Sequence, residues 1–203
     1  MQSNTSSFHE LISKWILNVL DMNCTTFDLS DEQNSRLAIL HSNSGQELPT
    51  WNASKPLTPG TTLDSTASDL LKFLSAIIGH MKTKLGDVKK DMQSIRNNTN
   101  HLLPNDEPAI YHSNKFDSDT LEFYSGLGWM IITNFGQQII WHSGSTPDGY
   151  DFFIAFNPIK EREVVILCSV DASNINISNI IFKGNNSLSS LVETLLTEYQ
   201  FHV

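Results

Sequence analysis

The sequence predicts an α+β fold in which helices come first, an antiparallel sheet follows, and a helix closes the chain. Three observations carry this. Two segments before residue 80 repeat apolar residues at the three-and-four spacing of a helix face, the period becomes extended after Gly126, and a helical apolar stripe returns near the C-terminus. That order excludes a parallel βαβ array. The 203 residues read as a single domain, with a helical and loop region over about 8–120, antiparallel strands over about 126–170 and a closing helix over about 188–201.

In the first helix, Phe8, Leu11, Ile12, Trp15, Ile16, Val19 and Leu20 form one face, preceded by Ser/Thr/Asn candidates for the N-cap. A polar stretch from Asp21 to Pro59, punctuated by Pro49, Pro56 and Pro59-Gly60, reads as a long excursion with little regular structure. Asp64-Ser65-Thr66 then caps a helix whose apolar face is Ala67, Leu70, Leu71, Leu74, Ile77 and Ile78, closed by Gly79. Lys82 to Leu103 adds a weaker helix and a polar loop. Leu127 to Thr133 and Gln137 to His142 flank the turn signal Asn134-Phe135-Gly136, and Tyr150 to Phe156 and Glu163 to Val170 flank Asn157-Pro158, so two hairpins are expected. Leu188, Leu191, Val192, Leu195, Leu196 and Tyr199 share the face of the closing helix. A sheet so built has an edge that must pair or expose an open ladder.

Composition removes several function classes. The net charge of -9 comes from 22 acidic and 13 basic residues without a concentrated basic face, which argues against a nucleic-acid partner. The single basic cluster, Lys82 to Lys90, reads as a solvated surface. No apolar run is long enough to span a bilayer, and the first residues lack the basic and apolar regions of a signal peptide. Cys24 and Cys168 read as two buried thiols or as one disulfide, with the thiols favoured because Cys168 lies in an apolar strand-like run, and no compartment follows from them. The seven His are scattered with no metal spacing, there is no Gly-rich phosphate loop, and Asp117 and Asp119 read as an exposed loop, so neither a metal nor a cofactor is expected. Sequons such as Asn23-Cys24-Thr25 are expected by chance in a chain rich in Asn and Ser.

The segment Trp141 to Tyr150 is the most informative. A strand end with His142, Ser143, Gly144 and Ser145 offers backbone chemistry: Gly lets a ligand approach the main chain, and the N–H just after it is placed to meet a developing oxyanion. His142 adds a proton donor or a positive charge. A self-contained triad is excluded, because neighbours on a strand point to opposite faces, and no Gly-x-Ser-x-Gly elbow occurs. On spacing alone the plainer reading, a strand end entering a tight turn with His142 an ordinary polar residue, outweighs the catalytic one.

Four segments in order resemble the serine β-lactamase-related family of class C β-lactamases, D-Ala-D-Ala carboxypeptidases and related esterases. They are Leu20 to Phe27, Pro59 to Phe73, Gly126-Leu127-Gly128-Trp129, and Trp141 to Pro147. The resemblance implies a partial β-lactamase/transpeptidase-like fold, with the whole chain forming the C-terminal part of one such domain. It also implies that His142-Ser143-Gly144 is the Lys/His-x-Gly strand on one wall of the cleft, with the Ser145 N–H as half of an oxyanion hole.

Two family motifs are missing. No Lys has Ser three residues before it, and no Tyr-x-Asn occurs, so the nucleophile and the next proton-transfer group are not in this sequence. Both lie upstream in relatives, so the chain is expected to begin just after the Tyr-x-Asn point. Asp148 also interrupts the usual Pro-Gly. The expected function is therefore the C-terminal segment of a serine acyl hydrolase, inactive alone, acting on a small-molecule or peptide acyl substrate once completed by an N-terminal part. The alternative is a non-catalytic binding or interaction module derived from the fold. Relatives often act outside the cytoplasm.

Overall fold

Five extended runs after residue 121 and a two-residue strand before it pair into a six-stranded sheet in the computed structural model, which describes residues 7–49, 63–99, 122–134, 137–146 and 149–171. Its strands are β2 (Asn97–Asn98), β3 (Glu122–Ser125), β4 (Met130–Asn134), β5 (Gln137–Ser145), β6 (Asp151–Asn157) and β7 (Arg162–Cys168), and they lie in that order. Every ladder is antiparallel. Both expected hairpins form, and the β6–β7 turn is closed by the Asn157 carboxamide oxygen, which accepts from the Ile159 and Lys160 amides at 3.0 Å each. Two strands, β2 and β3, precede the expected start of the sheet near residue 126. The closing helix expected over 188–201 lies outside the described residues.

The polar excursion holds short elements: a helix α2 (Asp31–Ser35), opened by a capping box on Ser30 and Gln33, and a strand β1 (His41–Ser42), which pairs in parallel with β8 (Val170–Asp171). The long helix α3 (Ala67–Ile78) starts and stops where its caps require. Thr66 accepts the Asp69 amide at 3.2 Å, and Gly79 takes the left-handed conformation (φ 105°) that ends it. Its Leu74, Ile77 and Ile78 pack with Trp129, Ile131, Ile140, Ile154 and Phe156 on one face of the sheet, each such side chain worth about 2 kcal/mol of burial. The Ser75 hydroxyl donates to Glu163 at 2.7 Å and fastens α3 to β7. After α3 come a single 3-10 turn (Lys84–Asp87) and a short helix α4 (Lys89–Met92). A Lys89 ammonium reaches back to the Ile78 carbonyl and covers the C-terminal end of α3.

The first helix departs from its expected face. It begins as α1 (Phe8–Ile12) and continues as one π turn (Ser13–Leu17), whose wide bond runs from the Asn18 amide to the Ser13 carbonyl at 2.9 Å. One extra residue per turn rotates the stripe. Leu17 and Leu20 go inside with Met22 and Ala76, and Ile12 and Ile16 pack against them, whereas Phe8, Leu11, Trp15 and Val19, one side of the expected stripe, stay exposed. Both cysteines are free and half-buried, as thiols rather than as a disulfide.

Asp69 ties this helical layer together. Its carboxylate, 3% exposed, accepts the Cys24 amide (2.8 Å), the Thr25 hydroxyl (2.9 Å) and the Lys72 ammonium (2.9 Å). Burial alone would push this carboxyl up, but the hydrogen bonds from Lys72, Thr25 and Cys24, with the charge of Lys72, outweigh it and hold the carboxyl below the ordinary carboxylate range. A group depressed in the folded state adds stability that is complete above its unfolded value, about 3.9, and is lost as pH falls through the lower folded value. Asp69→Asn is therefore expected to cost about 3 kcal/mol at neutral pH. Urea unfolding should show the gap between the two chains closing below about pH 4, and a gap constant down to about pH 2 would contradict the assignment.

Candidate functional site

β5 is the longest strand among the described residues, and its two neighbours cover unequal lengths of it. The β4 pairing ends at Met130↔Trp141, whereas the β6 pairing runs on through Ser145↔Asp151. Beyond the strand, the Thr146 amide donates to the Tyr150 carbonyl at 2.8 Å, which sets the alternation of the ladder. Even-numbered residues such as His142 and Gly144 therefore turn their N–H and C=O groups toward β6. Ser143 and Ser145 turn theirs to the side that β4 has already left.

The pleat sorts the side chains in the same way. His142 and Gly144 lie on the α3 face with Ile140, and Ser143 and Ser145 lie on the other face with Ile139 and Trp141. His142 and Ser145 are exposed, while Ser143 and Gly144 are half-buried. The four expected residues thus form one strand segment with two chemical sides.

The space above Gly144 is filled. A Cβ there would sit 2.4 Å from Cε1 and 3.0 Å from Cζ of Phe152, so only glycine fits beneath that ring. The same ring lies nearly parallel to the His142 imidazole, at 6.3 Å between centroids and 13° between planes. Phe152 itself packs inward against the α3 core. Sequence reasoning passed over it as an ordinary strand residue, although its pairing position opposite Gly144 follows from the hairpin register.

The loop leaving β5 is clamped by Thr146. Its hydroxyl accepts the Tyr150 amide at 2.9 Å, its carbonyl accepts the Gly149 amide at 3.0 Å, and Gly149 takes φ 108° to close the turn. The Tyr150 hydroxyl donates to the Ala38 carbonyl at 2.6 Å and moors this loop to the segment between α2 and β1. Pro147 and Asp148 lie outside the described residues. A groove of about 550 Å³ lined by Gly79, Met81, Lys82, Thr83, Lys84, Gly86, Asp87 and Lys89 sits past the end of α3 and shares no residue with this strand. Among the described residues no three His, Cys, Asp or Glu side chains converge as metal ligands, and no helix is long and apolar enough to cross a membrane.

The family model described as Beta-lactamase matches residues 3–176. The chain belongs to this family. Among solved structures, a class C β-lactamase is 18% identical with a TM-score of 0.62, the match covering 91% of this chain and 52% of that one. A class C β-lactamase in complex with cefoxitin is 18% identical with a TM-score of 0.58, over 85% of this chain and 50% of that one. A D-alanine carboxypeptidase from Burkholderia cenocepacia is 15% identical with a TM-score of 0.58, over 86% and 52%. At these identities the likeness establishes the β-lactamase-like fold, and the chain spans about half the length of these structures. No curated protein matches it.

The contact of Phe152 with Gly144 is directly measurable. Gly144→Ala is expected to destabilise the chain by about 2 kcal/mol, because the added methyl must displace a packed ring. Combining it with Phe152→Ala should recover most of that cost, giving a coupling energy of about 1 kcal/mol or more in a double-mutant cycle of urea unfolding. Additive losses would show that the ring does not occupy the glycine's space.

Proposed function

We propose that this chain forms the substrate-strand wall of a serine acyl hydrolase of the β-lactamase type, with His142, Ser143, Gly144 and Ser145 as its binding residues. The observation that supports the reading is the overhang of β5, whose odd-numbered backbone groups turn to the side that β4 vacates after Met130. An extended acyl amide laid along that overhang would pair with Ser143 as a short added strand. The Ser145 N–H would then donate to the oxygen of the acyl carbonyl, where charge develops as a nucleophile adds. His142, exposed at the same segment, would offer an imidazole N–H to a polar group of the ligand.

The nucleophile in this reading comes from outside these 203 residues, because no Ser-x-x-Lys and no Tyr-x-Asn occurs among them. A strand that binds and polarises an acyl group supplies part of the stabilisation of the transition state but not the nucleophile or its base. Catalysis belongs to the completed site, whose acyl substrate in this reading is a lactam, a D-alanyl peptide or a simple ester.

The purified chain is expected to hydrolyse neither a chromogenic cephalosporin nor a short-chain nitrophenyl ester above the buffer rate. Cefoxitin in excess should still shift the backbone amide resonances of Ser143, Gly144 and Ser145 in a titration followed by NMR. Turnover that persists through purification, whether or not one Ser substitution abolishes it, would overturn the need for an outside nucleophile, and abolition by one substitution would identify the internal serine. Shifts confined to other strands would overturn the placement of the ligand.

A further inference from the structure

We infer that Phe152 determines which acyl ligands the β5 wall accepts, favouring slim, extended amides over fused-ring lactams, an inference that rests on the proposed role of this wall. A glycine within a strand leaves a hollow on its side-chain face, and such hollows commonly admit a ligand or a second backbone. Here the hollow is occupied by the chain itself. Three atoms of the Phe152 ring lie within 3.3 Å of where a Gly144 Cβ would stand.

The position of the ring is set from two directions. Register places Phe152 directly opposite Gly144 across the β5–β6 ladder, and the inner side of the ring packs against the core built by Leu74, Ile77 and Ile78. The His142 imidazole, one step back along the same face, lies beside the ring at 6.3 Å between centroids and 13° from parallel. A half-buried phenyl ring anchored in this way closes the approach to the Gly144 backbone from the α3 side. It leaves open the edge-on approach past Met130, to Ser143 and Ser145.

Two consequences for a ligand follow. One that lies flat in the plane of the sheet, as an open-chain peptide does, meets the strand edge without touching the ring. A bicyclic lactam carries bulk above and below its amide, and the bulk on the α3 side meets Phe152. The ring also lies beside the exposed His142 imidazole in a near-parallel arrangement and favours that orientation of its nitrogens. Phe152 is thus a specificity residue toward the ligand and a positioning residue toward His142.

The test compares the native chain with Phe152→Ser and Phe152→Leu, the leucine variant keeping apolar bulk for the core while removing the aromatic ring. NMR titrations with cefoxitin and with N-acetyl-D-alanyl-D-alanine, followed at the Ser143, Gly144 and Ser145 amides, give the ratio of the two affinities in each chain. Phe152→Ser is expected to shift that ratio about tenfold toward cefoxitin, with the peptide affinity held within about twofold. The ring protons of His142 should also lie upfield in the native chain relative to Phe152→Leu, the mark of a neighbouring aromatic face. An unchanged ratio with both ligands still bound at β5 would overturn the role of Phe152 alone. Identical His142 shifts in the native and leucine chains would overturn the stacking on which it depends. Absence of any β5 shift with either ligand, in any of the three chains, would overturn the proposed wall and this inference with it.

Discussion

β5 outruns one neighbour and not the other, and the geometry of the candidate site depends on that mismatch. A strand paired on both sides has no backbone groups to offer, and a strand unpaired on one side along its whole length is open to indiscriminate pairing. Here the ladder with β4 covers β5 as far as Trp141, while β6 continues to support it through Ser145. The overhang is therefore short and held rigid from the β6 side. The Thr146 clamp and the Tyr150 hydrogen bond to Ala38 then fix where the chain goes next.

The helical layer is organised around a different constraint, the burial of one carboxylate. Asp69 brings together the segment after the first helix, through Cys24 and Thr25, and its own helix, through Lys72. Stretches more than forty residues apart in sequence are thus joined at one buried charge, and an antiparallel bridge between Thr26 and Asp64 extends the join. Removing such a charge's partners is costly because the charge stays behind without water. The two segments that resemble family motifs early in the chain meet at this carboxylate.

The fold class and both hairpins were legible because their signals are local. Asn134-Phe135-Gly136 and Asn157-Pro158 interrupt alternating apolar runs, and the ends of α3 are marked by Thr66 and Gly79. The first helix was legible in existence but not in orientation. Its apolar stripe is broad enough that a single π turn decides which part goes inside, and nothing in the residue types announces that turn. β3 was missed because Glu122-Phe123-Tyr124-Ser125 is too short to show a period, and it becomes a strand by pairing with β4. For the candidate site, the strand and its glycine were readable, whereas Phe152 was not. Its importance comes from a cross-strand neighbour, and a neighbour is a property of register rather than of local sequence.

The fit between Gly144 and Phe152 also constrains the order in which this site can change over generations. A side chain arriving at position 144 must displace the ring, since its first carbon would fall 2.4 Å from Cε1. A smaller residue at position 152 meets no clash, although it gives up the ring's packing against the core beneath α3. Drift away from the present arrangement therefore has a direction, with the aromatic ring lost first and the glycine released afterwards. Along that path the His142 imidazole would lose its stacking partner before the strand backbone lost its hollow, and the intermediate would carry the most open wall of the series.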